Sequence, residues 1–172
     1  TLLRQALGNI GTAKGYLRLF APGSALDHRL SADMEKTVWT GLLADRDNRD
    51  RARSWLDTYI NLASSDEAIA RLGGLLDGKV DAAGVEIDQD VRWQIIEQLN
   101  YLAAPGSEAL IAKEQARDKS ESGQLSALAS TVIRPDAATK ALWLAKIQSL
   151  DNSEPYARLR TAMGALYPNS QA

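Results

Sequence analysis

Through most of this chain the apolar residues recur at intervals of three and four, and no long run of Val, Ile, Thr and Tyr alternates with period two. That spacing places apolar side chains on one face of a helix and leaves nothing to cover the inner face of a sheet. Leu and Ala, both good helix formers, fill the periodic segments, while Gly, Pro, Ser and Asp cluster between them as breakers and caps. The expectation is an all-α fold.

The punctuation divides the chain into nine helical segments. The first runs over Thr1–Leu19 with Leu3, Leu7, Ile10, Leu17 and Phe20 near helical spacing, and Ala21-Pro22-Gly23 ends it. The second starts at Asp27 or Ser31, carries Leu30, Met34, Val38, Leu42 and Leu43, and stops at the charged run Asp45-Arg46-Asp47-Asn48. Arg49–Ala63 forms the third, with Ala52, Trp55, Leu56, Tyr59, Ile60 and Ala63 as its stripe. Ser64 and Glu67 read as a capping box for the fourth, which holds Ala68, Ile69, Leu72, Leu75 and Leu76 and ends at Gly78. Lys79–Ile87 lacks a helical stripe and is the longest loop.

Asp88 or Gln89 opens the fifth helix, whose Val91, Ile95, Leu99 and Leu102 share one side, widened by Trp93 and Ile96. Pro105-Gly106 closes it, and Ser107 caps a sixth built on Ala109, Leu110 and Ala116. The seventh covers Ser120–Ser130 with Leu125, Leu128 and Ala129. Pro135 suits the first turn of the eighth, where its missing N–H has no intrahelical partner, followed by Ala138, Leu142, Ala145 and Ile147. Ser153-Glu154-Pro155 starts the ninth, which continues through Ala165 and stops at Pro168. Helices of this length joined by short turns pack most simply as antiparallel pairs, and repeated pairs make a HEAT-like or armadillo-like array, with a globular bundle as the alternative.

A length of 172 residues suits one domain or part of one. Because the chain opens on Thr1, an upstream part of the gene product is expected to precede it. The formal charge of -2 provides no basic field for nucleic acid, so no nucleic-acid partner is expected. No apolar stretch has membrane-spanning length, so no membrane partner is expected either. The absence of Cys excludes disulfide and thiol chemistry and fits a reducing compartment, hence a cytoplasmic location.

No residue set qualifies as catalytic, cofactor-binding or metal-binding. A zinc centre needs converging nitrogen, sulfur or carboxylate ligands, and His28 is the single imidazole, set near a helix start with no H-E-x-x-H pair. The same scarcity removes Ser-His-Asp chemistry. Gly8-Asn9-Ile10-Gly11-Thr12-Ala13-Lys14-Gly15 misses the phosphate-loop pattern, because Lys14 does not follow a glycine and Gly15 stands where a hydroxyl is needed. Close helix packing or a kink explains these glycines. Asp81, Glu86, Asp88 and Asp90 do not keep calcium-loop order, and Asp88 and Asp90 suit a helix N-terminus. The alternating charges Asp45, Arg46, Asp47, Arg49, Asp50, Arg51 and Arg53 fit a solvated turn and helix start. Trp39, Trp55, Trp93 and Trp143 fall inside helices and read as packing residues. Arg92 is placed to extend over Trp93 or to pair with Asp88 or Asp90.

Five phrases in order carry a resemblance. They are Arg53-Ser54-Trp55-Leu56 running on to Ala63; Ala70-Arg71-Leu72-Gly73-Gly74-Leu75-Leu76-Asp77-Gly78; Val85-Glu86-Ile87-Asp88-Gln89-Asp90-Val91-Arg92-Trp93; Ala116-Arg117-Asp118 followed by Gly123; and Arg134-Pro135 with Lys140 and Trp143. Over Asp47 to Ala145 the chain resembles the C-terminal helical domain of zinc aminopeptidases of the aminopeptidase N type, particularly actinobacterial members preferring lysyl or alanyl substrates. The resemblance implies that residues 1–172 are a single helical fragment of a larger C-terminal domain, itself non-catalytic, that helps form a chamber over the parent's catalytic domain. It implies peptide substrates reached indirectly, zinc held in the parent's catalytic domain with none in this fragment, and metal-activated water attacking the first peptide bond. The family's zinc motif, glutamate base and amine-recognition motif have no matching positions here. Arg92, Arg117 and Lys140 are the residues expected to be either chamber-facing or structural. The alternative is a stand-alone helical-repeat module that binds a protein partner.

Overall fold

The computed structural model describes residues 2–149 and 153–168, and all regular structure among them is helical. The helices are α1 (Leu2–Phe20), α2 (Ala25–Ala44), α3 (Arg49–Leu62), α4 (Asp66–Leu76), α5 (Gln89–Tyr101), α6 (Ser107–Arg117), α7 (Glu121–Val132), α8 (Ala137–Gln148) and α9 (Tyr156–Leu166). None of the described helices is long and apolar enough to cross a membrane. Two compact units divide the chain, Thr1–Val91 and Arg92–Ala172.

In the first unit α2 and α3 form the most extensive pair, and α1 lies against both. A short turn reverses the chain between α2 and α3, so the pair is antiparallel. Asn48 caps α3 by accepting from the Arg51 N–H. The core stripe of α3 comprises Ala52, Leu56, Tyr59 and Ile60, as its spacing predicts, with Leu62 added at the end. Gly41 lets the two helices approach closely: a Cβ there would stand 2.7 Å from the Trp55 ring. In the second unit α6 and α7 form another antiparallel pair, while α9 is the principal neighbour of α7 and also packs on α8. Leu128, Val132, Trp143, Ala162, Ala165 and Leu166 are the buried core of that helix group, with Ala129, Ile133, Leu144 and Ile147 around it. Among the described residues both units are thus built on antiparallel helix pairs without strands, as the helical periodicity predicts.

The departures lie at caps and polar core positions. Helix α2 begins at Ala25, ahead of either expected start, because Ser24 accepts from the Asp27 N–H at 3.1 Å while Asp27 accepts from the Gly23 N–H at 3.1 Å. Its buried face is Ser31, Glu35, Val38 and Leu42, so two polar residues occupy positions expected for Leu30 and Met34, and Leu43 is exposed. The cap of α4 is Ser65, which accepts from the Ala68 N–H; Ser64 is drawn away by Glu35 and Lys14. Gly106, at φ 77°, takes the cap position of α6, and Ser107 turns inward as the first helical residue. The buried face of α6 is Ser107, Ile111 and Glu114, not Ala109, Leu110 and Ala116.

Pro135 precedes α8 instead of entering its first turn, since Asp136 supplies the cap by accepting from the Thr139 N–H at 2.7 Å. Lys140 and Trp143 form the buried side of α8, and Ala138, Leu142 and Ala145 are exposed. Phe20, expected on the inner stripe of α1, is 76% exposed. The stretch 79–87 is a loop as expected, although Ala82, Ala83 and Val85 are buried within it.

Candidate functional site

A network of buried and half-buried polar groups joins α1, α2 and the turn between α3 and α4. Its centre is Glu35, whose side chain is 4% exposed. One carboxylate oxygen accepts from the Ser64 N–H at 2.7 Å, the Ser64 hydroxyl at 2.9 Å, the Ser65 N–H at 3.2 Å and the Lys14 ammonium at 3.4 Å. The other oxygen accepts from the Ser65 hydroxyl. Lys14 also donates to the Leu62 carbonyl and to Ser64 Oγ at 2.7 Å. Burial pushes the Lys14 ammonium down to about 8, although Glu35 favours its charged form. Ser64 is therefore held as a relay between a cation and an anion, with its hydroxyl hydrogen committed to Glu35. The network anchors three chain segments, satisfies the Leu62 carbonyl at the C-terminal end of α3 and engages the Ser64 and Ser65 N–H groups ahead of α4.

A groove of about 480 Å³ lies over this anchor, lined by α2, α4 and Tyr59 of α3. Arg71 projects from α4 across the rings of Trp39 and Tyr59, with its guanidinium carbon 4.6 Å and 5.7 Å from their centroids. Trp39 and Tyr59 are themselves in contact, with centroids 4.8 Å apart and planes tilted by 56°. One guanidinium nitrogen donates to the Tyr59 hydroxyl at 2.9 Å, and another donates to Glu67 at 2.6 Å. Burial raises the Tyr59 phenol, opposed by the adjacent Arg71 charge. Lys36, Asp33, Thr40 and Ser65 complete the polar part of the wall.

The second unit carries three comparable knots. Arg92 makes a two-pronged ion pair with buried Glu114 at 2.8 Å and 2.7 Å. Arg117 stands 4.0 Å from the same carboxylate and is largely exposed. Asn100 is fully buried; its amide donates to the carbonyls of Ile96 and Ser107 at 2.9 Å and 3.0 Å, and its oxygen accepts from Arg134 at 2.6 Å. Lys140, lowered by burial, donates to the Leu166 carbonyl at 2.5 Å and the Val132 carbonyl at 3.3 Å, where it closes the end of α9.

The remaining candidates are placed as follows. His28 is exposed on α2, and among the described residues no group of three or more His, Cys, Asp or Glu side chains is arranged to hold a metal ion. Gly8, Gly11 and Gly15 line a second groove of about 530 Å³ between α1 and α3, and nothing lies within 4 Å of a Cβ added at any of them. Close packing therefore does not explain these glycines. Asp88 caps α5 through the Val91 N–H at 2.9 Å and pairs with Arg53 at 2.8 Å; those contacts outweigh its burial and hold the carboxyl below its usual range.

Within the alternating charges, Asp45 accepts from Trp55 Nε1 at 2.7 Å and Arg51 Nε at 3.0 Å, while Arg46, Asp47, Arg49 and Asp50 are exposed. Trp93 and Trp143 are buried as packing residues, and Trp93 donates to Asp118 at 2.8 Å. Glu35, Asn100 and Glu114 were missed by sequence reasoning, and Ser107, expected as a cap, is instead a buried partner of Arg134 and Asn100. Their only sequence signal is a polar residue standing on an apolar helical face.

No family model matches the chain. Over 119 residues it is 29% identical to aminopeptidase N from Streptomyces lividans, a stretch covering 66% of this chain and 14% of that protein. The chain thus spans a small part of the curated relative it matches, and its sequence is distantly related to an aminopeptidase.

Proposed function

We propose that this chain is a non-catalytic, chamber-forming part of the C-terminal helical region of a zinc aminopeptidase of the actinobacterial aminopeptidase N type. The observation that carries the reading is the similarity of 119 residues to a protein of which they represent 14%. The zinc, the general base and the groups that recognise the substrate amine belong, in this reading, to a catalytic domain elsewhere in the same polypeptide. That domain is the chain's principal partner, and peptides are its substrates. A wall of paired helices contributes by restricting access to the chamber, which favours peptides over folded proteins. We place the parent in the cytoplasm, which suits a chain free of Cys.

Helix α1 supports a buried role within a larger assembly. Leu2, Tyr16, Leu19 and Phe20 are 87%, 59%, 68% and 76% exposed, and Tyr16 stacks on Phe20 at 6.1 Å. Large apolar side chains gathered on one helix commonly mark a surface that another protein layer covers. The test is to isolate the natural polypeptide containing this chain and assay release of N-terminal residues from short peptides. Activity lost on chelation and restored by zinc is expected. Absence of such activity in the intact, folded natural polypeptide contradicts the reading and favours a stand-alone helical module that binds a protein partner.

A further inference from the structure

We infer that the groove between α2 and α4 is a binding site for a carboxylate group, with Arg71 as its recognition residue. The guanidinium is already held in place: its carbon lies over the Trp39 ring, 4.6 Å from the centroid, and one nitrogen is fixed by the Tyr59 hydroxyl at 2.9 Å. Such a fixed plane presents its remaining N–H donors in the forked geometry that matches the two oxygens of a carboxylate. Little ordering of the side chain is then needed when a ligand arrives.

The group now on that fork identifies the ligand chemistry. Glu67 accepts from Arg71 at 2.6 Å, but its side chain is 78% exposed whereas that of Arg71 is 23% exposed. A pair spaced i,i+4 with one partner in water contributes little to stability, so an incoming carboxylate can replace Glu67 at small cost. Arg71, in contrast, stays seated on two aromatic rings. The groove of about 480 Å³ is within the range of small-molecule sites, and Lys36 adds a second positive charge to its wall. Asp33, Glu35 and Glu67 are the acids lining the same space, of which Glu35 is engaged by Lys14, Ser64 and Ser65. Glu67 acts as a tethered occupant of the position that an external carboxylate takes.

The test is titration of the 172-residue chain with succinate, and with neutral succinamide as control, at constant ionic strength. The readout is the Trp39 indole N–H resonance, assigned with W39F. Saturable movement with succinate but not succinamide is expected. E67Q should tighten succinate binding several-fold by weakening the internal competitor, and R71Q should weaken it at least about tenfold. E67Q changes only an exposed carboxylate, so it remains informative if R71Q fails to fold. Absence of saturable movement in both wild type and E67Q overturns the proposal. Equal or weaker binding by E67Q, or unchanged binding by folded R71Q, overturns it as well.

Discussion

Lys14 carries the clearest pH signature in the molecule. Burial, opposed by Glu35, lowers its ammonium from 10.5 to about 8. Between those values the unfolded chain holds a proton that the folded chain has released, so stability gained through this group rises with pH across the window. Lys140 contributes in the same direction, and Tyr59, whose phenol is raised, contributes in the opposite direction near its ordinary pKa. The difference between wild type and K14M in urea unfolding isolates the Lys14 contribution. Wild-type stability should gain on K14M as pH rises from about 8 towards 10.5; a pH-independent difference contradicts the assignment. Glu114 supplies a second contrast at this scale, because it is buried against Arg92 but only 4.0 Å from exposed Arg117. E114A should lose on the order of 3–5 kcal/mol by stripping a buried guanidinium of its carboxylate. R117A should cost less than about 1 kcal/mol in the same unfolding measurement.

At the scale of elements, two kinds of glycine separate. G41A should be destabilising by about 1–3 kcal/mol, since its methyl would meet the Trp55 ring at 2.7 Å and the α2–α3 pair would have to part. G8A, G11A and G15A should each stabilise by up to about 1 kcal/mol, because α1 has open space at all three positions and Gly is a poor helix former. Thermal unfolding of the four variants checks both signs. The helices themselves were legible in the sequence because apolar spacing and breakers act locally: α3 buries Ala52, Leu56, Tyr59 and Ile60 as its stripe requires. What escaped sequence reasoning depends on partners distant in the chain. Ser64 appeared to be a cap, yet Glu35 from α2 claims it, leaving the role to Ser65. Ser107 likewise is taken by Arg134, 27 residues away. The Arg71 groove needs three helices to assemble it, so Trp39 by itself read as a packing residue.

For the whole molecule, the exposed apolar side of α1 has a direct consequence. The 172-residue chain in isolation should self-associate as its concentration rises, and replacing Tyr16 and Phe20 with Ser should suppress this in sedimentation measurements. Association unchanged by those substitutions contradicts a role for that face. The same surface is expected to be covered when the chain is part of the larger aminopeptidase proposed above.

The proposed place in that polypeptide is tested most directly by the intact mass and peptide map of the natural product. The account predicts a product several times heavier than 18.7 kDa, with H-E-x-x-H peptides upstream of this sequence. A natural product of essentially 18.7 kDa contradicts it.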